Sequence, residues 1–222
     1  MQDTPNAAAA PRKLEISYLT IRYSIGVLGL LLPFILPIGA LLIFGISELQ
    51  PSVSHYYHTP MGDVFVGCLC AFGVFLFAYK GHEAGDDIAG DFAGFFAIGV
   101  ALFPTAPENA SPTAAIIGNI HFFFAAAFFL TLAGFSFLLF TKTDSPNAMT
   151  ARKKFRNVIY RTCGIIILAA IVLIVLVKLF GPASWDAWKP VFWLEGAAIV
   201  AFGISWLVKG QAILKDLRVS TD

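Results

Sequence analysis

The segment Ser54–Lys80, SHYYHTPMGDVFVGCLCAFGVFLFAYK, decides how this chain is read. It opens on two histidines, two tyrosines and an aspartate, then stays apolar until Lys80. The apolar body does not alternate, as a ~10-residue strand of a membrane barrel would. A continuous apolar run placed in lipid must satisfy its own backbone, and an α-helix does so. The polar head then belongs to a loop and the body to a membrane helix.

The rest of the chain repeats this pattern. Hydrophobic residues make up 58% of it, 22 residues are Phe, and only 13% are charged, against about 25% in a soluble domain. Uncharged runs near the ~20 residues needed to cross a bilayer recur along it. The sequence predicts an all-α integral membrane bundle of six transmembrane helices, near residues 25–46, 63–79, 88–103, 121–140, 164–180 and 191–208. A disordered tail over 1–20 precedes the membrane domain of 21–210, and a second tail over 211–222 follows it. No internal repeat, soluble domain or cleavable signal peptide is evident.

Some features inside the spans carry packing information. Pro33 and Pro37 each remove a backbone bond from the first span and predict a kink. Gly90 and Gly94 form GxxxG in the third span, with Ala93, Ala97 and Ala101 repeating the small-residue spacing. Cys68, Cys70 and Cys163 read as small packing residues. The fifth span, rich in Ile, Leu and Val, reads as a lipid-facing or packing helix without a functional polar group.

Orientation follows from lysine and arginine. With the N-terminus inside, 13 of these residues fall on the inner side and 2, Lys178 and Lys189, on the outer side. Both termini are therefore expected in the cytoplasm. The basic run 150–157 reads as a topology determinant beside anionic lipid. It lacks the aromatic interleaving of a nucleic-acid surface.

Once oriented, the polar residues fall into two groups. Ser54, His55, His58, Asp63, His121 and Glu195 all come to the outer ends of the second, fourth and sixth spans. If those helices adjoin, the six residues line one outward-facing pocket. Ionisable groups at membrane depth are costly, about 3 kcal/mol for an aspartate at mid-bilayer, and face protein or water. Several uses are open. His58, His121 and either Asp63 or Glu195 can supply three zinc ligands and leave a fourth position for an activated water, with Ser54, Asp63 and Glu195 as catalytic groups. The same residues can relay protons or bind substrate in a transporter, His58 and His121 can ligate a haem, or the cluster can simply lock helices together. On the inner side His82, Glu83, Asp86, Asp87 and Asp91 form an acidic group that can hold a cation. Asp86 and Asp87 equally suit the first turn of a helix.

Ser54–Lys80, together with Ala97–Thr105 (AIGVALFPT) and Ala201–Gly210 (AFGISWLVKG), resembles a family of uncharacterised bacterial integral membrane proteins. The resemblance implies a multi-pass protein of the bacterial inner membrane. A more distant one is to the membrane hydrolases that include alkaline ceramidases and adiponectin receptors. Those cleave lipid amides with a Ser-xxx-His element, an aspartate and further histidines around zinc. Ser54 and His58 have that spacing here, and Asp63 and His121 match the later roles. The chain departs from that pattern in having six spans rather than seven. It also offers Glu195 where that superfamily has a His-xxx-His pair. The expectation is an outward-facing polar site acting on a lipid or small amphiphile, either as a metal-dependent hydrolase or as a transporter or structural component without catalysis.

Overall fold

A computed structural model describes residues 10–81, 83–107, 109–142 and 150–214, with side chains from residue 18 onward. Among them are six α-helices and no strand: α1 (Ala10–Phe44), α2 (Gly62–Ala78), α3 (Ala84–Leu102), α4 (Pro112–Gly134), α5 (Ala151–Phe180) and α6 (Pro190–Lys209). Short 3-10 turns cover Ser54–His58 and Ala183–Trp188, and α4 runs on through a π-helical turn, Phe135–Leu139.

All six predicted segments are helical, and several helices outrun their apolar stretch. α1 begins at Ala10, inside the stretch read as a tail, and passes unbroken through Pro33 and Pro37. α5 begins at Ala151, so the basic run 151–156 is its first turns. α4 begins at Pro112, with Ser111 accepting the N–H of Ala114 as its cap. The residues predicted for the tail over 1–9 and for 215–222 lie outside the described ones.

Among the described residues, four helical stretches, not six, are long and apolar enough to cross a membrane by themselves: Tyr18–Phe44, Pro112–Leu139, Ala151–Phe180 and Pro190–Lys209. α2 has 17 residues, about 25 Å at 1.5 Å per residue, short of a ~30 Å hydrocarbon core. α3 carries three aspartates, Asp86, Asp87 and Asp91, in its first half. Large apolar side chains such as Leu42, Phe123, Val172 and Phe180 face outward.

Each helix packs on the next, and α6 returns to pack on α1, closing a ring. Small residues permit two close helix crossings. A Cβ at Gly94 would stand 2.9 Å from the Gly73 carbonyl oxygen, and one at Gly90 2.9 Å from that of Leu76, so the GxxxG face meets α2 backbone to backbone. Where α1 crosses α6, a Cβ at Gly203 would stand 2.5 Å from the Leu30 nitrogen and 2.8 Å from the Gly26 oxygen.

The alternation of helices gives the bundle two ends. The α1–α2, α3–α4 and α5–α6 connections share one, termed the histidine end; the opposite end is the basic end. At the basic end, Trp206 is fully buried against Tyr79 (4.9 Å), Phe140 (5.2 Å) and Phe135 (5.5 Å). Arg22 is buried beside them, over the Tyr18 and Tyr79 rings at 4.0 and 5.4 Å, and hydrogen-bonded to the Tyr18 hydroxyl. The acidic group read as a cation site is engaged in ties there. Lys142 pairs with Glu83 (2.7 Å) and Asp86 (3.8 Å). Asp87 accepts the Gly81 N–H (2.8 Å) and pairs with Lys80 (3.8 Å), while Asp91 faces outward. His82 lies outside the described residues. Asp86 and Asp87 do sit in the first turn of α3. All three cysteines are free thiols.

Candidate functional site

At the histidine end, the chain between α1 and α2 folds inward. Ser52 accepts the backbone N–H of His55 (3.1 Å), and its hydroxyl lies 2.7 Å from His55 Nδ1, so a serine one turn upstream fixes the 3-10 turn. Tyr56 is buried against Phe192 of α6, ring centres 6.2 Å apart, and anchors the turn to the bundle. Thr59 donates to the Tyr56 carbonyl (2.8 Å) and accepts the Met61 N–H (3.1 Å), which turns the chain into α2.

Glu195 reaches this turn from the second turn of α6. Its Oε2 accepts the N–H of Ser54 at 3.2 Å, and the Val53 N–H and Ser52 hydroxyl also face the carboxylate. Ser54 and Glu195 thus meet through the serine backbone N–H rather than its hydroxyl.

Two predicted residues tie down the neighbouring loop. His58 Nε2 lies 2.7 Å from the Thr105 carbonyl oxygen, and His121 Nδ1 lies 2.6 Å from that of Phe103. A carbonyl only accepts, so each of these ring nitrogens carries the proton. His58 is exposed at the surface; His121 is 2% exposed and is the tenth residue of α4, deeper than the span end predicted for it. Asp63 stands apart. It is exposed in a separate hollow beside Tyr57, Thr59 and Val66. Among the described residues, no three His, Cys, Asp or Glu side chains converge as a metal-ligand set.

His55 looks into a vestibule of about 490 Å³ that Ser52, Lys178, Asp186, Lys189 and Glu195 also line. Burial, reinforced by Lys178, pushes the His55 imidazole down to about 4, so it is neutral at pH 7. Lys189 reaches back to Glu48 at 3.5 Å from a left-handed backbone position (φ 48°), just before Pro190 starts α6.

Sideways, the vestibule meets an apolar groove of about 240 Å³ between α4 and α5, walled by Ala126, Phe129, Ile171, Ile174 and Val175. Phe122, Lys178 and Glu195 line both spaces and form the throat between them. Glu195 also touches a small inner cavity of about 30 Å³ enclosed by α1, α2, α3, α4 and α6. Lys178 extends over the Phe122 ring at 4.3 Å.

Lys178 is the residue that sequence reasoning missed. The fifth span reads as a helix without a functional polar group, and a lysine near the end of an apolar helix reads as one snorkelling to the interface. Its partners Phe122 and Glu195 come from other helices, so only the folded ring makes it part of a site. Comparison with known protein families, with curated proteins and with solved structures finds no match.

Proposed function

We propose that the chain spans the bacterial inner membrane six times with both termini in the cytoplasm, and that its histidine end faces outward and binds an amphiphile. The head would occupy the vestibule and the tail the groove between α4 and α5. One observation carries this: a polar vestibule and an apolar groove between α4 and α5 share Phe122, Lys178 and Glu195. Ligand sites combine apolar walls with a few convergent polar groups in this way. The 13-to-2 partition of basic residues supports the orientation. For α2 and α3 to cross as well, their neighbours must shield them. Phe65, Leu69, Phe72, Ala93 and Ala97 are buried in the ring, which supports that.

Binding without catalysis is favoured over metal-dependent hydrolysis. His58 and His121 each commit a ring nitrogen to a loop carbonyl, and Asp63 lies in another hollow. Stoichiometric zinc in purified protein, lost in both His58→Ala and His121→Ala, would restore the hydrolase.

The binding itself is tested with a single-chain phospholipid carrying a diazirine in its tail. Crosslinks should concentrate on peptides containing Phe129, Ile174 and Val175. Labelling spread evenly over outward apolar positions such as Leu42 and Val172 would sink the proposal.

A further inference from the structure

The amphiphile reading leaves the head group open, and the vestibule charges narrow it. Four lining side chains are formally charged: Lys178, Lys189, Asp186 and Glu195. Two of them already have partners. Lys189 pairs with Glu48 at 3.5 Å, and the Glu195 carboxylate is held by donors of the Ser52–Ser54 turn. Lys178 and Asp186 make no direct ion pair with any described residue; Lys178 lies over the face of Phe122 and acts on Glu195 and His55 only at longer range.

These two uncommitted charges are opposite in sign and differ in position. Lys178 lines both groove and vestibule, so it stands at the throat. Asp186 lines the vestibule alone, in the 3-10 turn Ala183–Trp188, farther from the groove. A ligand whose tail lies in the groove therefore meets a cation first and a carboxylate second. A purely anionic head would satisfy Lys178 and leave Asp186 without a counter-charge. A purely cationic head would do the reverse.

We infer that the occupant is a zwitterionic phospholipid drawn sideways from the bilayer, with its phosphate at Lys178 and its terminal ammonium at Asp186. The order of charges in such a head matches their order here: phosphate next to the glycerol, ammonium beyond it. Phosphate at a lysine and ammonium at a carboxylate are charge-assisted contacts, the stronger class of hydrogen bond. The throat comes from the end of α5 and the distal wall from the turn that Pro182 and Pro190 bracket.

The inference rests on the amphiphile reading, and the following test separates the two. Purified protein is titrated with lipids of identical acyl chains bearing phosphoethanolamine, phosphocholine or phosphoglycerol heads, and adducts are counted by native mass spectrometry. Both zwitterionic lipids should bind about tenfold tighter than phosphoglycerol, the size of one charge-assisted contact. Asp186→Asn should erase that preference, and Lys178→Gln should weaken all three lipids together. Both positions are exposed, so the variants should unfold at the wild-type temperature. Equal or tighter phosphoglycerol binding by the wild type, or a preference that survives in Asp186→Asn, overturns the head-group assignment and leaves the amphiphile site standing. Absence of any adduct, with tail photolabelling spread over the outer surface, overturns both.

Discussion

The histidines show how differently one residue type is used within a few ångströms. His121 holds the Phe103 carbonyl from inside the bundle. Truncating it leaves that carbonyl unsatisfied beside a new cavity, at a cost of about 2–4 kcal/mol. His121→Ala should therefore unfold well below wild type in a detergent melt. His121→Asn, whose amide nitrogen stands near the Nδ1 position, should recover part of the loss. His55 behaves differently. Its pKa in the folded protein, about 4, lies below the ordinary 6.5, so the unfolded chain binds the extra proton between those values. Its contribution to stability is complete above pH 6.5 and is lost as pH falls toward 4. Ser52, His58, His121, Lys178 and Lys189 act on it, and Asp186 and Glu195 share its vestibule. In melts from pH 7.5 to 4.5, the fall in stability should be shallower for His55→Gln than for wild type. The sequence shows that these residues gather at one end, because span boundaries and basic loops fix that. It cannot show that His58 and His121 hold loop carbonyls, since a backbone oxygen leaves no residue-type signature. It also places Asp63 too near the others, because position along a helix says nothing about which side the residue faces.

At the scale of the element, hydropathy marks the stretch that suits lipid rather than the helix that contains it. α5 begins with basic turns that are still helical, and α4 begins at Pro112, ahead of the span start predicted at residue 121, so both start earlier than predicted. The small-residue spacing is the sharper guide. Gly90 and Gly94 meet backbone carbonyls of α2. Gly94→Val should overpack that contact and destabilise by about 1–3 kcal/mol. Gly67 is the contrast, because a methyl group added there would meet nothing within 4 Å. Gly67→Ala should be neutral or stabilising by up to about 1 kcal/mol, because alanine is the better helix former. A pair of thermal melts checks both. The crossing of Gly26 and Gly29 with Gly203 is not legible as a motif. The partners are far apart in sequence, and a lone glycine in an apolar run has many explanations.

Over the whole molecule, the ring places three connections at one end and ties them together: Glu48 to Lys189, Ser54 to Glu195, His58 to Thr105. A topology reporter should separate the two ends cleanly. An alkaline phosphatase fusion within Ala183–Trp188 should be active, and one after Gly210 inactive. The reverse pattern would invert the orientation and turn the vestibule to the cytoplasm.

The return of α6 to α1 also governs how the ring is assembled. The face of α1 that carries Gly26 and Gly29 is completed by Phe202, Gly203 and Leu207 of α6, so it stays open while α2 to α5 are synthesised. Until α6 arrives, the chain is an open arc whose first and fifth helices each lack the same neighbour. Closure is therefore a late, long-range event, slow in the way that contacts between distant segments are slow. A ribosome stalled before Pro190 would leave an arc with Arg22 still short of the Lys209 carbonyl it meets at 3.5 Å.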